Sequence, residues 1–402
     1  MKNFLPSRRL WILSLTLIAP QFAFAQHDLG QLDVTFTNAG LANPSVAARV
    51  YYPSSSAGSG VPLASGSWPV IAFGHGFNLG YLDYNEILHA VATAGYIVIS
   101  PDVQNGFSVD HEEFARELGA CIDFFMAENQ SAGSLFFQGV ASSSGVFGHS
   151  MGGGASTLVP SVYPEIDAVS GLASAETIPS AIAALGSYSG PYQVISGSAD
   201  NVAPESAHQI PMYSAATGMK QWISILGGAH CKFTDSSTIC DLFSSPGSVT
   251  RDFQIDITIK YVIPFFDFAL KSDLAALPFI CGDAIEADIA AGNLLNTTTI
   301  NCPVVGSPFR RGDCSADGQY NIADAIYSLS ALFPGPGGPP ALSCEDACDC
   351  NDDGQLNVAD PICILESLFV SQAPPPAAPH PACGTDPTET DALDCSAFAP
   401  CP

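Results

Sequence analysis

Positive charge is scarce in this chain. Twelve lysines and arginines stand against 39 aspartates and glutamates among 402 residues, a formal net charge of −27. A surface of that sign repels phosphate backbones and anionic lipid headgroups, which excludes nucleic acid and acidic membrane surfaces as partners. Long apolar runs are missing too. Outside residues 10–20 nothing approaches the roughly 20 apolar residues that a spanning helix needs. Cysteine is thin over the first three quarters of the chain: only Cys121, Cys231, Cys240, Cys281 and Cys302 precede residue 306, and the other eight of the 13 follow it.

What is present at the N-terminus explains the one apolar run. Lys2, Arg8 and Arg9 lead into it, and Ala23-Phe24-Ala25 closes it as an A-x-A cleavage site. Residues 1–25 therefore read as a secretory signal peptide, with the mature chain starting at Gln26. Ser7-Arg8-Arg9-Leu10-Trp11 also has twin-arginine character, although an ordinary secretory signal is the preferred reading. The chain is expected to be exported, outside the cell or in a periplasm, with a charge of about −30 once the signal is removed. Cysteine pairing fits that compartment. Cys231–Cys240 and Cys281–Cys302 are expected local bridges, which leaves Cys121, in a helical stretch, as a buried free thiol.

Composition changes near residues 304–308, so two domains are expected, 26–305 and 306–402. In the first, apolar strands are expected at 32–37, 47–52, 69–73, 96–100, 145–148, 168–172, 192–197 and 221–226. Helical patterns fall between several of them, at 83–94, 110–129, 204–216 and 253–270. Strands that alternate with helices and are apolar on both faces predict an α/β fold, a mostly parallel sheet covered on both sides. Such sheets carry their chemistry in the loops beyond the carboxyl ends of the strands.

One of those loops holds Gly148-His149-Ser150-Met151-Gly152-Gly153-Gly154, after a strand-like run and before a small, apolar helix. G-x-S-x-G in that setting is a nucleophile elbow, which makes Ser150 the candidate nucleophile. His149, the variable residue of the elbow, is expected to point away from substrate. A serine needs a base, and the base needs an acid to hold its tautomer, in the chain order Ser, Asp, His. Asp200 follows the strand at 192–197, ahead of a helix that Pro204 can start. His230 follows the next strand on Gly227-Gly228-Ala229. As alternatives, Asp200 is a turn or capping residue and His230 an exposed loop histidine. The backbone N–H groups of Phe77, in Gly74-His75-Gly76-Phe77, and of Met151 are the candidate oxyanion donors. His75 reads as structural, and His89, His111 and His208 as surface or packing residues.

On these motifs, with Gly197-Ser198-Ala199-Asp200-Asn201-Val202-Ala203-Pro204 and Gly228-Ala229-His230, residues 26 to about 272 resemble a secreted α/β-hydrolase. The group is that of polyester hydrolases (cutinase-like), chlorophyllase-like and dienelactone-hydrolase-like enzymes. The resemblance implies hydrolysis of carboxylic esters through an acyl-enzyme, with Phe77 as an aromatic wall and no organic cofactor. Bacterial polyester hydrolases usually carry a tryptophan after the strand that follows the elbow helix. Here that stretch, Ser170-Gly171-Leu172-Ala173-Ser174-Ala175-Glu176, has no aromatic. An amidase or peptidase with the same triad, or a non-catalytic attachment protein on a hydrolase scaffold, are the alternatives.

The second domain holds a repeat. Asp313 to Asp324 aligns with Asp349 to Asp360 at a period of 36 residues, and each copy runs on into an apolar helical pattern. Oxygen-bearing residues at loop positions 1, 3, 5, 9 and 12, with glycine at position 6, suit a Ca2+ loop. The candidate ligands are Asp313, Ser315, Asp317, Gln319 (by its carbonyl), Asn321 and Asp324, then Asp349, Asn351, Asp353, Gln355 (by its carbonyl), Asn357 and Asp360. With aspartate at position 12 the pair resembles a type I dockerin, which implies calcium binding and docking onto a cohesin-like protein. A calcium-stiffened terminal domain without a partner is the alternative. Cysteine at position 2 of each loop, Cys314 and Cys350, suggests added bridges.

Overall fold

Strand 68–74 shows why the first part of the chain forms a covered sheet. Val70 and Ala72 enter one apolar cluster, Ile71 and Phe73 enter another, and all four are fully buried. A strand apolar on both faces must be covered on both. At about 1.5–3 kcal/mol for each fully buried large aliphatic or aromatic side chain, these two clusters drive the fold. The computed structural model describes residues 27–236, 238–300, 308–335, 342–386, 393, 395 and 398–401. The expected signal peptide and Cys302 lie outside them. The chain divides into two compact units, Met1–Cys302 and Pro303–Pro402.

The first unit contains β1 (Asp28–Thr37), β2 (Ser45–Ser54), β3 (Gly58–Ser59), β4 (Trp68–Gly74), β5 (Ile97–Pro101), β6 (Val140–His149), β7 (Ala168–Leu172), β8 (Tyr192–Gly197), β9 (Lys220–Ile225) and β10 (Leu294–Ile300). They form one sheet in the order β10-β9-β8-β7-β6-β4-β5-β2-β1-β3. From β5 across to β9 every neighbouring pair is parallel. The β1/β2, β2/β5 and β9/β10 pairs are antiparallel. The helices are α1 (Asn85–Thr93), α2 (His111–Glu128), α3 (Met151–Val162), α4 (Ala181–Leu185), α5 (Gln209–Ala215), α6 (Thr238–Phe243), α7 (Arg251–Lys271), α8 (Leu277–Cys281) and α9 (Asp283–Ala290). Residues of α2, α3, α4 and α5 enter one cluster, and residues of α1, α7, α8 and α9 enter the other. This is a mixed, mostly parallel α/β-hydrolase type of sheet.

Three local features depart from the sequence expectation. β10 was not anticipated, because Asn296-Thr297-Thr298-Thr299 carries little apolar signal and an edge strand needs only one partner. Helix α5 starts at Gln209 rather than at Pro204, with residues 205–208 in a turn and His208 as its N-cap. Asp83 does not open α1. It lies in a 3-10 turn, Tyr81–Tyr84, where its carboxylate accepts from the Gly80 N–H at 2.9 Å. No described helix is long and apolar enough to cross a membrane.

The second unit contains α10 (Ile322–Leu332) and α11 (Ala359–Phe369). Its small core is stapled by Cys314–Cys348, Cys344–Cys395, Cys350–Cys363 and Cys383–Cys401. Arg311 is fully buried at its centre. It donates to the carbonyls of Ala378, Asp346 and Asp349 and pairs with Asp352 and Asp386. A unit too small for a large core relies on covalent and ionic ties of this kind.

Candidate active site

β6, β8 and β9 run parallel, so their carboxyl ends open on one edge of the sheet. Ser150 follows β6 directly, at the N-cap of α3, with φ 55° and ψ −117°. The left-handed φ is strained for a residue with a side chain, and close packing enforces it. A Cβ on Gly152 would lie 2.1 Å from the Gly74 carbonyl oxygen, and one on Gly148 would lie 2.4 Å from that of Gly152. Only glycine on both sides lets the turn close.

The three expected residues meet there. Ser150 Oγ is 2.8 Å from His230 Nε2, and His230 Nδ1 is 2.7 Å from Asp200 Oδ2. The second oxygen of Asp200, Oδ1, accepts from the N–H groups of Val202 and Ala203 at 2.8 and 2.9 Å. Asp200 thus serves its turn and faces His230 at once, and His230 is buried rather than exposed. The amides of Phe77 and Met151 have no acceptor among the described residues. Met151 opens α3, where the first N–H groups lack intrahelical partners. The His75 ring lies in the core, its nitrogens 2.9 and 2.8 Å from the carbonyl oxygens of Gly76 and Val103.

A cavity of about 520 Å3 opens over Ser150 and His230, walled by Phe77, Phe107, Val202, Phe243 and the Cys231–Cys240 disulfide. A second hollow of about 360 Å3 shares Ser150, Phe77 and Phe107 and adds Val109, His111, Met151 and Ala175. Phe77 and Phe107 meet edge to face, 6.0 Å between centroids, where the two hollows adjoin. The stretch after β7 supplies no aromatic here; Phe107 and Phe243 bring two from elsewhere. The sequence reading missed both. Phe107 had a faint signal, as an aromatic among Asn105, Gly106 and Ser108 just beyond the end of β5, whereas Phe243 had none.

His149 borders the larger cavity, but its ring is fully buried, 4.8 Å from that of His230, with one nitrogen 2.8 Å from Tyr84 Oη and the other 3.0 Å from the His230 carbonyl oxygen. Burial, with His230 beside it, holds its pKa well below the ordinary imidazole value. The expected Cys231–Cys240 bridge is present, and Arg251 braces the same loop through the carbonyls of Cys231 and Thr234 and through Asp241. Cys121 is buried and free. Cys281 is disulfide-bonded, and its expected partner, Cys302, lies outside the described residues.

In the second unit the two loops repeat their geometry. Asp313 accepts from the N–H groups of Asp317 and Gly318, and Asp349 accepts from those of Asp353 and Gly354. Gly318 and Gly354 have φ of 82° and 71°, the left-handed turn expected of position 6. Asp324 and Asp360 accept from the N–H of Asn321 and Asn357. Ser315 donates to Asp324, while Asp317 and Asp353 cap the N–H groups of Gln319 and Gln355. Burial, with Asp324 nearby, raises the Asp313 carboxyl, and burial with Asp349 nearby raises that of Asp360. Among the described residues no three His, Cys, Asp or Glu side chains are gathered as a metal site. In each loop the position 1 and position 12 carboxylates are close enough for one to raise the other.

Over residues 19–245, more than half its length, the chain matches the model of the PET hydrolase-like family. No curated protein matches it. The chain belongs to the PET hydrolase-like family, and is in general terms an ester-cleaving α/β-hydrolase.

Proposed function

We propose that this chain is a serine carboxylester hydrolase that works through an acyl-enzyme and carries a calcium-binding docking module. The hydrogen-bonded line from Ser150 through His230 to Asp200, at the floor of an open apolar cleft, is the observation that carries the first part. Ser150 Oγ attacks the ester carbonyl while His230 Nε2 takes its proton. The tetrahedral oxyanion rests on the Phe77 and Met151 amides, a contribution worth several kcal/mol when the donors are preorganised. His230 then protonates the leaving alcohol, so the alcohol departs on the His230 side, into the cavity walled by Phe107, Val202 and Phe243. Water, activated by the same imidazole, releases the acid. Asp200 fixes the Nδ1–H tautomer and stabilises the imidazolium. Esters with apolar arms, polyester segments among them, fit this lining.

Hydrolysis of nitrophenyl acetate, butyrate and octanoate by the exported protein and its Ser150→Ala variant tests this reading. Serine-dependent turnover supports it. Equal, near-background rates turn the assignment toward amides or a scaffold.

For the second part, the donors fit Ca2+. Each loop pairs two buried carboxylates, and Asp360 Oδ1 is buried with no hydrogen-bond partner among the described residues. Asp313, Ser315, Asp317, Asn321 and Asp324, with the Gln319 carbonyl, would hold one ion; Asp349, Asn351, Asp353, Asn357 and Asp360, with the Gln355 carbonyl, would hold the other. The ion would neutralise charges that otherwise repel. Ile322, Ile326 and Phe333 are exposed, as are Val358, Ile362 and Phe369 one repeat later. This duplicated apolar face supports docking onto a cohesin-like protein. The test is calorimetry of the full chain, with and without EDTA. Calcium at 100 times its Kd should stabilise by about 2.7 kcal/mol, and cohesin binding should require it.

A further inference from the structure

The strongest unexplained feature near the site is a line of buried polar groups on the far side of the base. The Gly76 N–H donates to Tyr84 Oη at 3.0 Å, and Tyr84 Oη lies 2.8 Å from His149 Nδ1. His149 Nε2 lies 3.0 Å from the carbonyl oxygen of His230. A carbonyl can only accept, so His149 carries its proton on Nε2 and leaves Nδ1 as the acceptor for the Tyr84 hydroxyl. Every donor and acceptor in the line is then matched.

We infer that Tyr84 and His149 are positioning residues, which tie the oxyanion loop to the base loop through one continuous hydrogen-bonded line. Gly76 immediately precedes Phe77, the expected oxyanion donor, and the line ends on the backbone of the proposed base itself. The two loops, which leave β4 and β9, are also tied farther out, where the Asp235 N–H donates to the Asp83 carbonyl at 2.7 Å and the Asp235 carboxylate accepts from the Glu86 N–H at 3.1 Å. Among the described residues, only the Tyr84–His149 line couples them beside the reacting groups. Tyr84 and His149 are both fully shielded from solvent, where an unmatched hydroxyl or ring nitrogen is costly. The space is also specified: a Cβ on Gly76 would come within 3.0 Å of both His149 Nδ1 and Tyr84 Oη. Tyr84 is held on its other side by Phe73, 4.8 Å away and edge to face.

The inference rests on the serine-esterase reading and adds two residues to it. Its test is steady-state kinetics of Tyr84→Phe, His149→Leu, His149→Gln and the Tyr84→Phe/His149→Leu double variant, beside Ser150→Ala, with melting followed for each. A 1 Å misplacement of catalytic groups costs about 100-fold. Tyr84→Phe, which keeps the ring and removes only the hydroxyl, should lower kcat about 10- to 100-fold and leave KM within about twofold. His149→Gln, able to donate and accept at both ends, should recover most of what His149→Leu loses. The double variant should be no worse than His149→Leu alone, since both changes break one line. Folded Tyr84→Phe with wild-type kcat, or additive losses in the double variant, would overturn the inference. If Tyr84→Phe does not fold, the comparison of His149→Gln with His149→Leu decides alone: equal loss overturns the inference. Activity that survives Ser150→Ala would instead sink the esterase reading beneath it.

Discussion

Replacing Asp200 by asparagine separates the two jobs of that side chain. Oδ1 accepts from the amides of Val202 and Ala203, and Oδ2 faces His230 Nδ1. An asparagine must keep its oxygen toward the two amides, because turning its NH2 there would set donor against donor twice. Its NH2 therefore faces His230 and forces the proton from Nδ1 to Nε2. The imidazole then points an N–H at Ser150 and cannot accept the serine proton. A wrong tautomer in an otherwise intact triad costs about 10⁴-fold in kcat, or about 5 kcal/mol of transition-state stabilisation. The turn at 200–203 keeps its hydrogen bonds, so the fold should survive. The assay is kcat on nitrophenyl butyrate, with the melting temperature as the control for folding. A variant that melts like the parent and keeps kcat within tenfold would refute the tautomer argument, and with it the role proposed for Asp200.

Other consequences follow from groups around the site. Glu117 is buried on α2 and accepts from Gln104 Nε2, and burial pushes its carboxyl from 4.5 to about 7. Because the folded value is raised, the stability this group contributes is complete below about pH 4.5 and is lost as pH rises through 7. Glu117→Gln should therefore raise stability at pH 9 by up to about 3 kcal/mol and change little at pH 4, read from urea midpoints at the two values. Opening the disulfide beside the base, in Cys231→Ser/Cys240→Ser, releases a loop of roughly ten residues. A loss of about 3 kcal/mol is expected from chain entropy, seen as a drop of roughly 5–10 °C in Tm. Phe107→Ala removes one of three aromatic walls. Because Phe107 is itself largely exposed, the change should raise KM for octanoate esters about fivefold, the roughly 1 kcal/mol at the low end for a lost apolar contact, and hardly alter acetate turnover.

Short-range chemistry is what the amino-acid sequence determined by itself. The glycines around Ser150, the order of Ser150, Asp200 and His230 along the chain, the period of the acidic loops and the central apolar strands were all legible. Each depends on a few neighbouring residues, or on alternation that needs no partner to be read. The sequence misplaced the start of α5 and overlooked β10, since a proline or a run of threonines takes its role from what packs beside it.

The tertiary structure alone decided which distant groups meet. Tyr84 and His149 are 65 residues apart and His149 and His230 are 81 apart, so no local pattern announces the line they form. Phe107, on the loop after β5, and Phe243, at the end of α6, became cleft walls only because both segments fold over the same sheet edge. Cys314 found Cys348, and the buried charge of Arg311 found Asp352 and Asp386, for a similar reason. Pairing at that range is set by the packing of the whole chain, where a buried polar group or thiol takes whatever partner the close-packed interior leaves within reach.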